Sequence, residues 1–115
     1  MLRYSKTLLI LILFFTLFNF VSFGQEYKNY SINGVLVDID NKQPIEFASV
    51  AIYQTSDSVL ITGTITNAKG EFIFKNLLPG SYLIKSNSVG YMTALRNVEI
   101  SNASVTLPEP IYLRS

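Results

Sequence analysis

The chain has 115 residues, nine basic and eight acidic side chains, and neither histidine nor cysteine, which makes it one domain at most. That charge balance lacks the basic excess needed to neutralise nucleic-acid phosphates or anionic lipid. Without thiols or imidazoles there is no disulfide framework, no lipid attachment through cysteine, no common general base and no ordinary zinc ligand set.

The first 24 residues differ from the rest. Arg3 and Lys6 precede an almost wholly apolar run from Thr7 to Phe20, and Ser22-Phe23-Gly24 puts small residues at the −3 and −1 positions before Gln25. This is the build of a secretory signal peptide over residues 1–24, leaving residues 25–115 as the exported domain with no membrane span. The rival reading is an uncleaved anchor, since the apolar stretch reaches Phe23 and approaches the roughly 17 to 25 residues that cross a bilayer. From Gln25 onward seven basic residues meet eight acidic ones. With no disulfide, the exported domain must be held by its core.

Tyr30 to Val37 alternates, so Ile32, Gly34 and Leu36 share one face of a first strand. Asp38 to Pro44 follows as a turn whose short carboxylates and amides bond their own backbone. Glu46 to Gln54 predicts a second strand with Ala48, Val50 and Ile52 toward the core and Phe47, Ser49, Ala51 and Tyr53 away from it. A short strand over Val59 to Ile61 precedes Gly63, which predicts a bulge or a close crossing. Gly63 to Tyr91 then predicts an antiparallel meander: strands 64–66, 71–75 and 81–85, separated by Asn67-Ala68-Lys69-Gly70 and by Asn76-Leu77-Leu78-Pro79-Gly80. Phe72 and Phe74 point inward. Ser86-Asn87-Ser88 reads as a frayed strand end rather than a polar recess. Arg96 to Ile100 is a sixth strand with Val98 and Ile100 inward, and Val105 to Leu113 a seventh, confined to a sheet edge by Pro108 and Pro110. No helical periodicity interrupts the series, so the fold class is all-β, a seven-stranded Greek-key sandwich closed around Leu36, Val50, Phe72 and Phe74.

Few residues carry chemistry. Asp38, Asp40 and Asn41 offer hard oxygen atoms to calcium but lack the remaining ligands of a known loop, so a plain turn is the expectation. Tyr82, two residues after Pro79-Gly80, has the placing of a tyrosine corner, with a structural hydroxyl. Tyr53, Tyr91 and Tyr112 are read as exposed aromatics able to stack on sugar rings or partner side chains. Asp57-Ser58-Val59 is similar to a short bacterial O-glycosylation sequence. No catalytic, cofactor-binding or metal-ligating residue is expected.

Ile32-x-Gly34-x-Leu36-x-Asp38, Pro44-Ile45-x-x-Ala48-x-Val50, Gly63-Thr64-x-Thr66-x-x-x-Gly70-x-Phe72-x-Phe74-x-x-Leu77-x-Pro79-Gly80-x-Tyr82 and Gly90-Tyr91, in that order, resemble the carboxypeptidase regulatory-like domain. The resemblance implies a transthyretin-like (prealbumin-like) sandwich and a non-catalytic role. It covers nearly all of the chain after the leader. The leader's end, Phe23-Gly24-Gln25, looks like those of exported Bacteroidota proteins, where such domains stand ahead of TonB-dependent receptors and related outer-membrane barrels. Ser86-Asn87-Ser88 departs from the family, which has inward apolar residues there. The function so implied is an accessory domain docking a protein partner at the periplasm or outer membrane; carbohydrate binding is the alternative.

Overall fold

Alternation of apolar and polar residues decides the first strand in the computed structural model, which describes residues 29–115; the leader and its cleavage before Gln25 lie outside the described residues. Strand β1 (Tyr30–Asp38) buries Ile32, Gly34, Leu36 and Asp38 and turns the intervening residues outward. Antiparallel to it runs β4 (Glu71–Leu77), with Ile32 opposite Phe74 and Gly34 opposite Phe72. On the other side two short strands, β7 (Val105–Thr106) and β8 (Ile111–Leu113), pair in parallel with successive parts of β1. The second sheet is wholly antiparallel in the order β3-β2-β5-β6, from β2 (Ser49–Gln54), β3 (Leu60–Ile65), β5 (Gly80–Asn87) and β6 (Ala94–Ile100).

The two inner faces meet in one core. Ile32, Leu36, Phe72, Phe74, Leu77 and Leu113 from the first sheet pack against Val50, Ile52, Tyr82, Ile84, Val98 and Ile100 from the second. Each large side chain so buried contributes on the order of 1.5 to 3 kcal/mol. Phe72 and Phe74 lie with ring centroids 5.8 Å apart at 58°, a tilted arrangement that suits the aromatic quadrupoles. Gly34 sits mid-strand because a Cβ there would lie 2.8 Å from both Leu107 Cδ1 and Phe72 Cζ.

Several expectations are corrected. The meander does not form: β4 pairs with β1 while β3 and β5 pair with β2, so the chain changes sheet at Asn67–Gly70 and again at Leu78-Pro79. Turn residues mark a reversal, and here both reversals arch across the core instead of closing a hairpin. Strands number eight among the described residues, because the prolines split 105–113 into two pieces. Pieces 59–61 and 64–66 are one strand; the register slips between Ile52 and Tyr53, leaving Ile61 as the extra residue, and Gly63 pairs regularly with Ala51. Strand β2 begins at Ser49, three residues late, because Phe47 takes φ +58°, incompatible with an extended run.

Ser86 does not fray. It pairs with Val50 on one side and Ala94 on the other, and its side chain is fully buried. Its hydroxyl has no hydrogen-bond partner among the described residues. Since an unsatisfied buried hydroxyl is unfavourable, Ser86→Ala is expected to raise stability by roughly 1 kcal/mol. A urea titration giving a lower midpoint for that variant would refute the assignment.

Candidate interaction site

The turn after β1 is built by Asp38. Its Oδ1 accepts hydrogen bonds from the amides of Asp40 at 2.8 Å and Asn41 at 3.2 Å, and its Oδ2 accepts one from the Tyr91 hydroxyl at 2.7 Å. Oδ1 thus closes the turn and Oδ2 ties it to Tyr91. Among the described residues no three His, Cys, Asp or Glu side chains are grouped to hold a metal ion. The Tyr91 hydroxyl, followed by the two turn amides, holds the Asp38 carboxyl below its ordinary value of 3.8. The same bond raises the Tyr91 phenol above 10.0.

A carboxylate whose folded-state pKa is depressed adds stability that is complete above its unfolded pKa and is lost as pH falls through the folded one. The wild type should therefore lose stability as pH drops below the usual carboxylate range, and Tyr91→Phe should shrink that acid loss. Urea midpoints measured from pH 7 downward check it; parallel curves for the two proteins would refute the linkage.

Tyr82 behaves as the tyrosine corner requires: it is buried and its hydroxyl donates to the Leu78 carbonyl. Thr66, which stands out in the sequence only as part of the family pattern, ties the sandwich together where β3 leaves its sheet. Its buried hydroxyl donates to Ile45 O at 2.7 Å and accepts from Ala48 N at 2.9 Å. Only its place in an alternating Thr62, Thr64, Thr66 series hinted that it faces inward.

The three tyrosines read as a stacking surface do not come together. Tyr91 is half-buried and bonded to Asp38. Tyr112 lies on the first sheet with the Lys42 ammonium 4.7 Å above its ring. Tyr53 lies on the second sheet, in an open recess of about 660 Å³ with Leu83, Lys85 and Leu95. Ser58, in the Asp57-Ser58-Val59 triplet, is exposed at φ +58° with Asp57 Oδ1 accepting from the Val59 amide.

Strand edges are a further feature able to engage another molecule, because an outermost strand presents unpaired N–H and C=O groups. Three of the four edges are guarded. Strand β4 carries Glu71 and Lys75, β6 carries Arg96 and Glu99, and β7 and β8 are short with Pro108 and Pro110 between them. Strand β3 carries neither charge nor proline, and its single irregularity is the bulge at Ile61: Leu60 is 55% exposed, Ile61 41% and Ile65 63%, and no charged residue or proline occurs from Ser58 to Ala68.

Two facing sheets with Tyr82 bonded at a corner define a prealbumin-like β-sandwich. Residues 31–109 match the model of the carboxypeptidase regulatory-like domain, and the chain belongs to that family. Solved structures share the fold. The TIE protein of Bacillus anthracis is 20% identical, with a TM-score of 0.64 over 75% of this chain and 17% of that one. BcpA, the major pilin subunit of Bacillus cereus, is 16% identical, with a TM-score of 0.63 over 76% of this chain and 30% of that one. This chain thus spans less than a third of either protein. The 5-hydroxyisourate hydrolase of Klebsiella pneumoniae is similar over 94% of its own length and 79% of this chain, at 16% identity and a TM-score of 0.56. A search of curated proteins found no match.

Proposed function

We propose that the chain is a non-catalytic, exported accessory domain that docks a protein partner in the cell envelope, at the periplasm or outer membrane. The observation carrying this reading is the unguarded β3 edge, where three aliphatic side chains and a row of unpaired backbone groups face solvent. Strand addition to such an edge supplies affinity through main-chain hydrogen bonds and specificity through alternate side chains. Export rests on the leader: two positive charges, an apolar run and small residues before Gln25.

A hydrolase shares the fold, but catalysis lives in sites rather than folds. Without histidine or cysteine, acid–base work would fall to carboxylates, lysines or tyrosines, and Asp38, the carboxylate with a displaced pKa, has one oxygen on the turn amides and the other on Tyr91. Pilins and the TIE protein share the sandwich as one part of longer chains, which accords with an accessory role.

The test places a photo-crosslinkable residue at Ile65 and, as a control, at Glu109 in the chain expressed in cells. A discrete protein adduct from Ile65 in the envelope fraction, without one from Glu109, is expected. A chain retained in the cytoplasm, or one reaching the envelope with no adduct from any strand edge, would overturn the proposal.

A further inference from the structure

We infer that β3 pairs with β3 of a second copy of this chain, forming a symmetric antiparallel dimer centred on Gly63. This deepens the docking role proposed above by naming the partner, and it rests on that reading only in using the same edge.

Ile61-Thr62-Gly63-Thr64-Ile65 reads identically in both directions about Gly63. In a two-fold antiparallel pairing centred there, glycine faces glycine, Thr62 faces Thr64, and Ile61 faces Ile65. Isologous interfaces demand such self-complementarity, and Thr–Thr and β-branched pairs directly opposite one another are favourable. None of the other edge strands has this symmetry: β6 reads Ala-Leu-Arg-Asn-Val-Glu-Ile and β4 reads Glu-Phe-Ile-Phe-Lys-Asn-Leu.

The Thr66 amide donates to Ala48 O at 3.0 Å, toward the β2 side. Alternation in an antiparallel ladder then sends the N–H and C=O of Thr64 and Thr62 the same way, leaving those of Gly63 and Ile65 at the open edge. Gly63 facing Gly63 would therefore be a hydrogen-bonded pair exchanging two bonds across the dyad. The bond rows of the two copies meet in phase across Thr62 to Thr64, short of the bulge at Ile61, joining two four-stranded sheets into one of eight.

Eleven consecutive residues, Ser58 to Ala68, carry no charge, although charge is the usual means of keeping an edge from self-association. With the other long edges charged, the pairing stops at two copies and closes.

A seam this short is a small interface, so association is expected in roughly the micromolar to millimolar range. Sedimentation velocity on the exported chain up to about 1 mM should show a monomer–dimer equilibrium. Gly63→Lys sets two ammonium groups directly opposite each other and should weaken association about tenfold or more. The fold should tolerate this substitution, because a Cβ at Gly63 meets only Val50 O, at 3.5 Å. Gly63→Glu should weaken association likewise, and mixing the two variants should restore a one-to-one dimer.

Covalent trapping supplies a readout that does not depend on those variants. The chain has no cysteine, and a hydrogen-bonded antiparallel pair sets its Cα atoms about 5.5 Å apart, within disulfide reach. Gly63→Cys should oxidise to a covalent dimer far faster than Asn97→Cys on the β6 edge. A single-chain mass throughout the concentration series would overturn the inference, as would open-ended aggregation, association untouched by Gly63→Lys, or equal trapping at both positions. An Ile65 crosslink to a different envelope protein from a monomeric chain would sink the dimer while leaving the docking role standing.

Discussion

Gly70→Ala is expected to cost on the order of 3 kcal/mol or more, a large share of the roughly 5 to 15 kcal/mol that holds a domain folded. Two penalties combine. Gly70 adopts φ +72°, a region that costs a residue with a side chain about 1 to 2 kcal/mol. The added Cβ would also overlap the Leu36 carbonyl oxygen. That oxygen belongs to backbone and cannot rotate away. It also accepts a hydrogen bond from Ile45 N at 3.0 Å, while Gly70 O accepts one from Leu36 N at 2.8 Å. Moving either partner breaks the seam between the Asn67–Gly70 arch and β1. Gly34→Ala is the informative comparison, because there the new Cβ meets the side chains of Leu107 and Phe72 with no positive φ. Those rings and methyls can shift, so a loss of about 1 to 3 kcal/mol is expected. Urea titrations of both variants decide it, and equal midpoints would show that backbone obstruction at Gly70 does not dominate.

Strand faces were legible wherever one side of a strand is buried. Ile32-x-Gly34-x-Leu36, Ala48-x-Val50-x-Ile52 and Phe72-x-Phe74 all point inward, because a two-residue period leaves no other way to hide the apolar set. Pairing was less legible. Nothing local in Asn67-Ala68-Lys69-Gly70 distinguishes a hairpin from an arch, since Asn67 Oδ1 accepts from the Lys69 and Glu71 amides in a manner that serves either. What selects the arch is distant in sequence: Leu36 N on Gly70 O, and Ile45 O and Ala48 N on the Thr66 hydroxyl.

The interaction surface divides in the same way. Asp38 was readable as a turn-former from its neighbours, but its tie to Tyr91, 53 residues on, was not. Ser86 looked like a frayed end because polarity weakens a side-chain pattern; its backbone, paired on both sides, is indifferent to that polarity. The symmetry of residues 61–65 is plain in the sequence. It acquires meaning only once β3 is known to be outermost.

Phe74→Ala is expected to cost about 3 to 5 kcal/mol, the range for removing a buried phenyl ring. Phe74 is 2% exposed, lies opposite Ile32 in the ladder and packs against Phe72. Its loss therefore removes both transfer free energy and one half of the aromatic pair. The cavity cannot collapse easily, because β1 and β4 are fixed to each other by their ladder while the second sheet is held off by Val50, Ile52 and Ile84. Ile73→Ala, one residue earlier on the same strand, removes a smaller aliphatic group from a side chain that is 46% exposed, and should cost about 1 kcal/mol or less. Thermal or urea unfolding of the two variants compares the inward and outward faces of the strand. A difference below about 1 kcal/mol between them would mean that the inner faces of the sheets do not close on Phe74 as described.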